Sequence, residues 1–123
     1  MKILPALFCS TLVGFVAFTS PVALANEQLV ASMCDYVAAN DKNRLRKVLS
    51  DRRLRLRSVY SGVYCNGNSL IRFAFINKAD DVGEFMVKQL PASDVADSGD
   101  IAWAEANGYS GSPLFEVLKQ RAE

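Results

Sequence analysis

"NGNSLIRFAFINKADDVGEFMVKQL", residues 66–90, contains a turn, two helix starts and a helix stop in one short run. Asn66-Gly67 marks a tight turn, and Asn68 or Ser69 then caps a helix carrying Leu70, Ile71, Phe73, Ala74 and Phe75. Asp80 or Asp81 starts a second helix with Val82, Phe85, Met86 and Leu90 facing inward. Pro91 ends it, because proline has no amide hydrogen to continue the helical ladder. Each helix has an apolar stripe to bury and the connection is short, so the segment predicts a helical hairpin.

A similar hairpin precedes it. Residues 27–39 place Leu29, Val30, Met33, Cys34 and Val37 at three- and four-residue steps. Asn40-Asp41 ends that helix and caps the next, in which Leu45, Val48 and Leu49 point inward and Arg44, Arg46 and Lys47 outward. At an offset of 37 residues Met33 falls on Leu70, Tyr36 on Phe73, Leu45 on Val82, Val48 on Phe85 and Leu49 on Met86. A single hairpin cannot bury its apolar side alone, and a repeat of this length is how stacked helical pairs show themselves.

The flanking segments are less regular. In residues 51–68 the run "RLRLR" alternates like a strand, while Leu49, Leu56, Val59, Tyr60 and Val63 also fit a helical stripe, so an irregular or short helical connector is expected. Residues 92–111 turn small, acidic and glycine-rich and read as a looser link, with one or two helical turns at 100–106 presenting Ile101 and Trp103. "NGYSGS" is a breaker, after which Ser112 caps a last helix with Pro113 in its first position. Leu114, Phe115, Val117 and Leu118 form its apolar face. The expected class is all-α, a small disulfide-linked domain of stacked helical hairpins spanning 26–123.

Residues 1–25 have the three parts of a secretory signal: Lys2, an apolar run from Ile3 to Phe18, and Ala23-Leu24-Ala25 as a small-x-small cleavage site. Thr19, Ser20 and Pro21 interrupt the apolar run before it is long enough for a membrane anchor. Cleavage would leave 123 − 25 = 98 residues, enough for one small domain, with a periplasmic location and no transmembrane segment. Cys9 leaves with the signal, and Cys34 and Cys65 are then expected to pair in an oxidising compartment. A bridge closing about 32 residues removes roughly 3 to 4 kcal/mol of denatured-chain entropy, which is large for so small a domain.

Catalysis is not expected, and no catalytic residue is assigned. The sequence has no histidine and no Cys-x-x-Cys pair, so a cysteine lacks both the usual base and a dithiol partner. Two thiols without histidine leave a tetrahedral zinc site short of ligands, and no cofactor or metal is expected. Asp80, Asp81 and Glu84 are explained by their place at a helix start. No phosphate loop, dinucleotide fingerprint or nucleophile elbow occurs.

Without Lys2 the chain carries 13 basic and 13 acidic side chains, a balance that argues against a dedicated nucleic-acid binder. The charges are segregated: residues 42–57 hold eight cations against Asp51, and residues 78–123 hold four cations against nine carboxylates. Arg52, Arg53, Arg55 and Arg57 are the candidate anion-binding residues, since guanidinium forks match phosphate and carboxylate groups.

Residues 66–90 resemble a degenerate ankyrin repeat, with Gly67, Ser69, Ala74, Val82 and Phe85 at the positions of its turn glycine, capping threonine, close-packing alanine and second-helix apolar residues. "GSPL", residues 111–114, is similar to the start of a further unit, although the Thr-Pro-Leu-His core is absent. From about Met33 to Leu90 the chain also resembles small exported bacterial proteins grouped as domain of unknown function 3718. That likeness rests on a first cysteine in a helix, a basic segment and then "CNGNSLIRFA", Cys65 to Ala74. It implies export and a paired-cysteine framework and supplies no activity. The expected function is a non-catalytic protein-interaction module with a partner in the envelope or with itself. The alternative is a binder of anionic envelope components, a phosphate-bearing glycolipid or polymer.

Overall fold

A computed structural model describes residues 27–123. The signal-peptide reading of 1–25, with Cys9, lies outside the described residues. The chain folds into α1 (Glu27–Ala38), α2 (Lys42–Asp51), α3 (Leu56–Val59), a 3-10 turn (Tyr60–Gly62), β1 (Tyr64–Cys65), β2 (Asn68–Ser69), α4 (Leu70–Ile76), α5 (Asp80–Gln89), α6 (Ala92–Asp97), α7 (Asp100–Ala106) and α8 (Pro113–Ala122). The fold is all-α apart from the two-residue β1–β2 ladder, as the hairpin reading requires.

Three hairpins, α1–α2, α4–α5 and α7–α8, stack side by side. Their first helices form one layer, α1 against α4 against α7, and their second helices another, α2 against α5 against α8. Met33 and Val37 of α1, Leu45 and Leu49 of α2, Ile71 and Phe75 of α4, Val82 and Met86 of α5, and Leu114 and Leu118 of α8 meet in one continuous core. The connectors follow the same plan: α3, after α2, lies against α5, and α6, after α5, lies against α8.

One backbone device ends four of the helices. Asn40, Arg53, Lys78 and Gly108 all adopt left-handed φ values, 56°, 55°, 55° and 84°. In each case the next amide reaches back five residues: Asp41 to the Tyr36 carbonyl, Leu54 to Leu49, Ala79 to Ala74 and Tyr109 to Ala104, each at 2.8 Å. This motif satisfies carbonyls that a helix end otherwise leaves without donors, and it reverses the chain into the next helix.

The repeat register differs from the one expected. α1 ends at Ala38 and α4 at Ile76, the left-handed residues are Asn40 and Lys78, and α2 and α5 start at Lys42 and Asp80. All three pairs are separated by 38 residues, one more than the 37 that aligns the apolar residues. An apolar helical stripe is wide enough to include adjacent positions, so slipping by one residue still pairs buried with buried. A left-handed turn has no such tolerance.

The stack is fastened at three places. Asp41 caps α2 by accepting from the Arg44 amide at 3.0 Å, while α5 has no side-chain cap of its own. Instead Asn40, at the end of the first hairpin's α1, accepts from the Val82 amide at 3.0 Å, so one hairpin caps the next. Cys34 and Cys65 are joined, with Cα atoms 5.7 Å apart, and fix α1 to the β ladder that leads into α4. Gly83 allows the third contact: a Cβ there would lie 2.6 Å from Leu114 Cδ2 and 3.3 Å from Ala74 Cβ, so only glycine lets α8 approach α5 this closely.

Within residues 92–111, expected as a looser link with one or two helical turns at 100–106, α7 takes up those turns and α6, residues 92–97, is a further helix. The acidic composition concealed a buried anchor at each: Val95 is 1 % exposed and Ala104 fully buried. Trp103 packs on Phe75 of α4, centroids 6.2 Å apart, and stacks on Tyr109 at 5.5 Å.

Replacing both bridged cysteines by alanine is expected to lower unfolding free energy by about 3 to 4 kcal/mol, read from denaturant midpoints beside the parent protein with and without reductant. An unchanged midpoint would mean that the bridge adds nothing to the hairpin stack. Asn40→Ala loses both the cap and the best non-glycine residue for a left-handed turn and should cost about 2 kcal/mol. Asn40→Gly keeps the turn and loses only the cap, so it should cost clearly less; equal losses would remove the left-handed turn from the account, and no loss in Asn40→Gly would remove the inter-hairpin cap.

Candidate functional site: a buried carboxylate and a basic groove

Asp100 is the one buried charged side chain among the described residues, 1 % exposed at the start of α7. A carboxylate in that position needs donors on its oxygens. Arg72 Nε donates to Oδ1 at 2.7 Å, Ser69 Oγ to Oδ1 at 3.3 Å and the Tyr60 hydroxyl to Oδ2 at 3.1 Å. Each donor is held in turn. The Tyr60 oxygen accepts from the Ile71 amide at 3.2 Å, and Ser69 caps α4 by accepting from the Arg72 amide at 3.2 Å. The Arg72 guanidinium sits 5.4 Å over the Trp103 ring and reaches the Ser98 carbonyl at 3.5 Å. Ser98 Oγ accepts from the Asp100 amide at 3.1 Å and donates to the Val95 carbonyl at 2.9 Å. The network joins the 3-10 turn, α4 and the α6–α7 corner.

Burial, and next the Asp100 carboxylate beside it, push the Tyr60 hydroxyl well above the ordinary tyrosine range. Tyr60 therefore remains a donor. The network borders a cavity of about 480 Å³ that also meets Arg57, Tyr64, Asp94 and Asp97. General acid–base chemistry needs a group with a free lone pair or a proton it can release near neutrality. Here the carboxylate accepts from three donors and the phenol holds its proton, so both groups tie separate segments of the fold together.

A second feature faces out. β1 and β2 pair antiparallel, Tyr64 opposite Ser69 and Cys65 opposite Asn68, around Asn66 and Gly67 at φ 54° and 81°. Two successive left-handed residues suit a two-residue hairpin, and Asn-Gly is the favoured pair for it. Cys65 is buried and bridged while its neighbour Tyr64 points away, 57 % exposed. Tyr64 forms a wall both of the cavity beside Asp100 and of a groove along α1 lined by Val30, Cys34 and Phe73.

The four candidate arginines lie on two segments, Arg52 and Arg53 at the end of α2 and Arg55 and Arg57 at the start of α3. Arg52 caps the end of α2 and Arg53 holds its left-handed turn. The chain then reverses, runs extended at Arg55 and enters α3, so that Leu56 is buried between exposed Arg55 and Arg57. Arg55 and Arg57 reach a groove of about 540 Å³ between α2, α3 and α5, which does not include Arg52 or Arg53. Arg46 and Lys88 complete its cationic lining. By sequence Arg46 falls on an outward helix face and Lys88 has no assigned role, because nothing in the spacing shows that α3 packs against α5. Among the described residues no carboxylate lies within 4.0 Å of Arg52, Arg53, Arg55 or Arg57.

The fold and surface define a disulfide-braced stack of helical hairpins, with a rigid aromatic hairpin on one side and an acid-free basic groove on another. The family model described as Protein of unknown function (DUF3718) matches residues 33–97, and the chain belongs to that family. The match covers Cys34 and Cys65, the first two hairpins from Met33 onward and the groove. No curated protein and no solved structure matches the chain. No helix among the described residues is long and apolar enough to cross a membrane.

Tyr60→Phe removes a donor from Asp100 and the acceptor of the Ile71 amide, and should cost about 1 to 3 kcal/mol. Because the folded protein raises the Tyr60 pKa, its contribution is complete below about pH 10 and declines above it, as the unfolded chain ionises first. Stability measured against pH should therefore fall in the alkaline range more steeply for the parent than for Tyr60→Phe. Parallel curves would refute the assignment.

Proposed function

We propose that the protein is exported through a cleavable signal to the periplasm and acts there as a non-catalytic interaction module, with Tyr64 and its hairpin as the contact. The observation that carries this reading is Tyr64 itself: a large aromatic side chain, 57 % exposed, on a hairpin fixed by a two-residue turn and a disulfide. A rigid aromatic loses little conformational freedom on binding, which is why such residues dominate contact energies at interfaces. The bridge supports an oxidising compartment. The network at Asp100 supports a non-catalytic role, because the groups that would act as acid or base are hydrogen-bonded to each other.

A second reading, binding of an anionic envelope component, is favoured by the groove that gathers Arg46, Arg55, Arg57 and Lys88. The four-arginine version, with Arg52 and Arg53, is not favoured by the geometry.

A photo-crosslinking side chain at position 64, compared with one at exposed Gln120 on α8, tests the first reading in intact cells. A reproducible adduct from position 64 alone supports it, and its mass distinguishes a partner from a second copy. Equal capture from both positions, or none from either, rejects the hairpin as the contact.

A further inference from the structure

Four cations, Arg46, Arg55, Arg57 and Lys88, line the groove between α2, α3 and α5, and its lining contains no carboxylate. Their positive charge is only partly offset. Arg46 lies 5.5 Å over the Phe85 ring, a contact that orients the guanidinium without cancelling its charge. Lys88 shares its charge with the half-buried Glu84 at 3.1 Å, and Arg55 and Arg57 have no acidic partner among the described residues within 4.0 Å. Beside the cations and the polar Ser50 and Gln89, the lining has an apolar part made by Leu49, Leu54, Leu56 and Phe85.

We infer that this groove docks the phosphate-bearing headgroup of an anionic lipid at a membrane surface, an inference that rests on the anion-binding reading above. The cations suit phosphate, and Arg55 and Arg57 supply planar forks that can each donate twice to one phosphate group. The leucine and phenylalanine part of the lining distinguishes the source. A bare polyphosphate has no carbon to place there, whereas the glycerol, sugar or first acyl carbons of a lipid do. The electrostatic share is short-ranged and screened by salt.

The test uses the disulfide-intact protein and sedimentation with vesicles of phosphatidylglycerol mixed into phosphatidylcholine, beside vesicles of phosphatidylcholine alone. Binding should appear only with phosphatidylglycerol and weaken steeply as salt rises. Losing a cation near an anionic surface reduces partition roughly fivefold, so Arg55→Ala with Arg57→Ala should lose about 30-fold. Arg52→Ala with Arg53→Ala removes the same charge outside the groove and should lose less than about threefold. A second groove pair, Arg46→Gln with Lys88→Gln, guards against a folding defect in the first and should match its loss.

Equal losses in the groove pairs and the Arg52/Arg53 pair overturn the inference, as does equal binding to both kinds of vesicle. Binding of soluble polyphosphate without vesicle binding rejects the lipid source and leaves the anion-binding reading standing. Absence of both rejects the two together.

Discussion

Asp100 brings into the interior a negative charge that the fold can tolerate only if several segments surround it with donors, and those segments are far apart in the chain. Tyr60 comes from the connector after the first hairpin, Ser69 and Arg72 from the entry to the second, and Asp100 from the start of the third. Removing one partner of such a network leaves the others dry and unpaired, which costs more than the net gain of forming it. The network therefore serves mainly to select an arrangement. Apolar helical hairpins can slide along one another with little loss of buried area, but a carboxylate with three required donors has one acceptable position.

The same need for a defined register appears at the helix ends. The left-handed residues Asn40 and Lys78 turn two successive hairpins in the same way, and the Asn40 side chain then caps α5 in the neighbouring unit. Local turn geometry and inter-unit contact are thus coupled through one residue. Gly83 completes the fit from the other side by letting Leu114 of α8 into the space beside Ala74. Each junction of the stack has a specific polar or steric device in addition to its apolar area.

Much of the hairpin architecture was legible because it depends on local signals. Ser69 and Ser112 cap the helices they were expected to cap, and the three- and four-residue spacing of Met33, Val37, Leu45 and Leu49 identifies the buried faces. The Cys34–Cys65 link followed from counting thiols. Less was legible where a long-range contact reverses a local tendency. Asp94, Asp97 and Asp100 make residues 92–111 look solvated, yet Asp100 is buried by partners 28 to 40 positions away. Arg72 held the available clue, as the lone charge in the otherwise apolar run of α4. The basic groove was half visible: Arg55 and Arg57 stood out, whereas Arg46 and Lys88 join them only through the packing of α3 under α5.

The two junctions of the stack are closed by different chemistry. Between the first and second hairpins lies a covalent bond, and between the second and third lies a set of hydrogen bonds converging on one carboxylate. Local opening follows the weakest boundary that can part without breaking the remainder. A reductant therefore acts on the first junction alone: it cuts the covalent tie between α1 and the ladder, whereas the second junction, where Leu114 and Leu118 of α8 are buried against α5, holds no bond of that kind to lose.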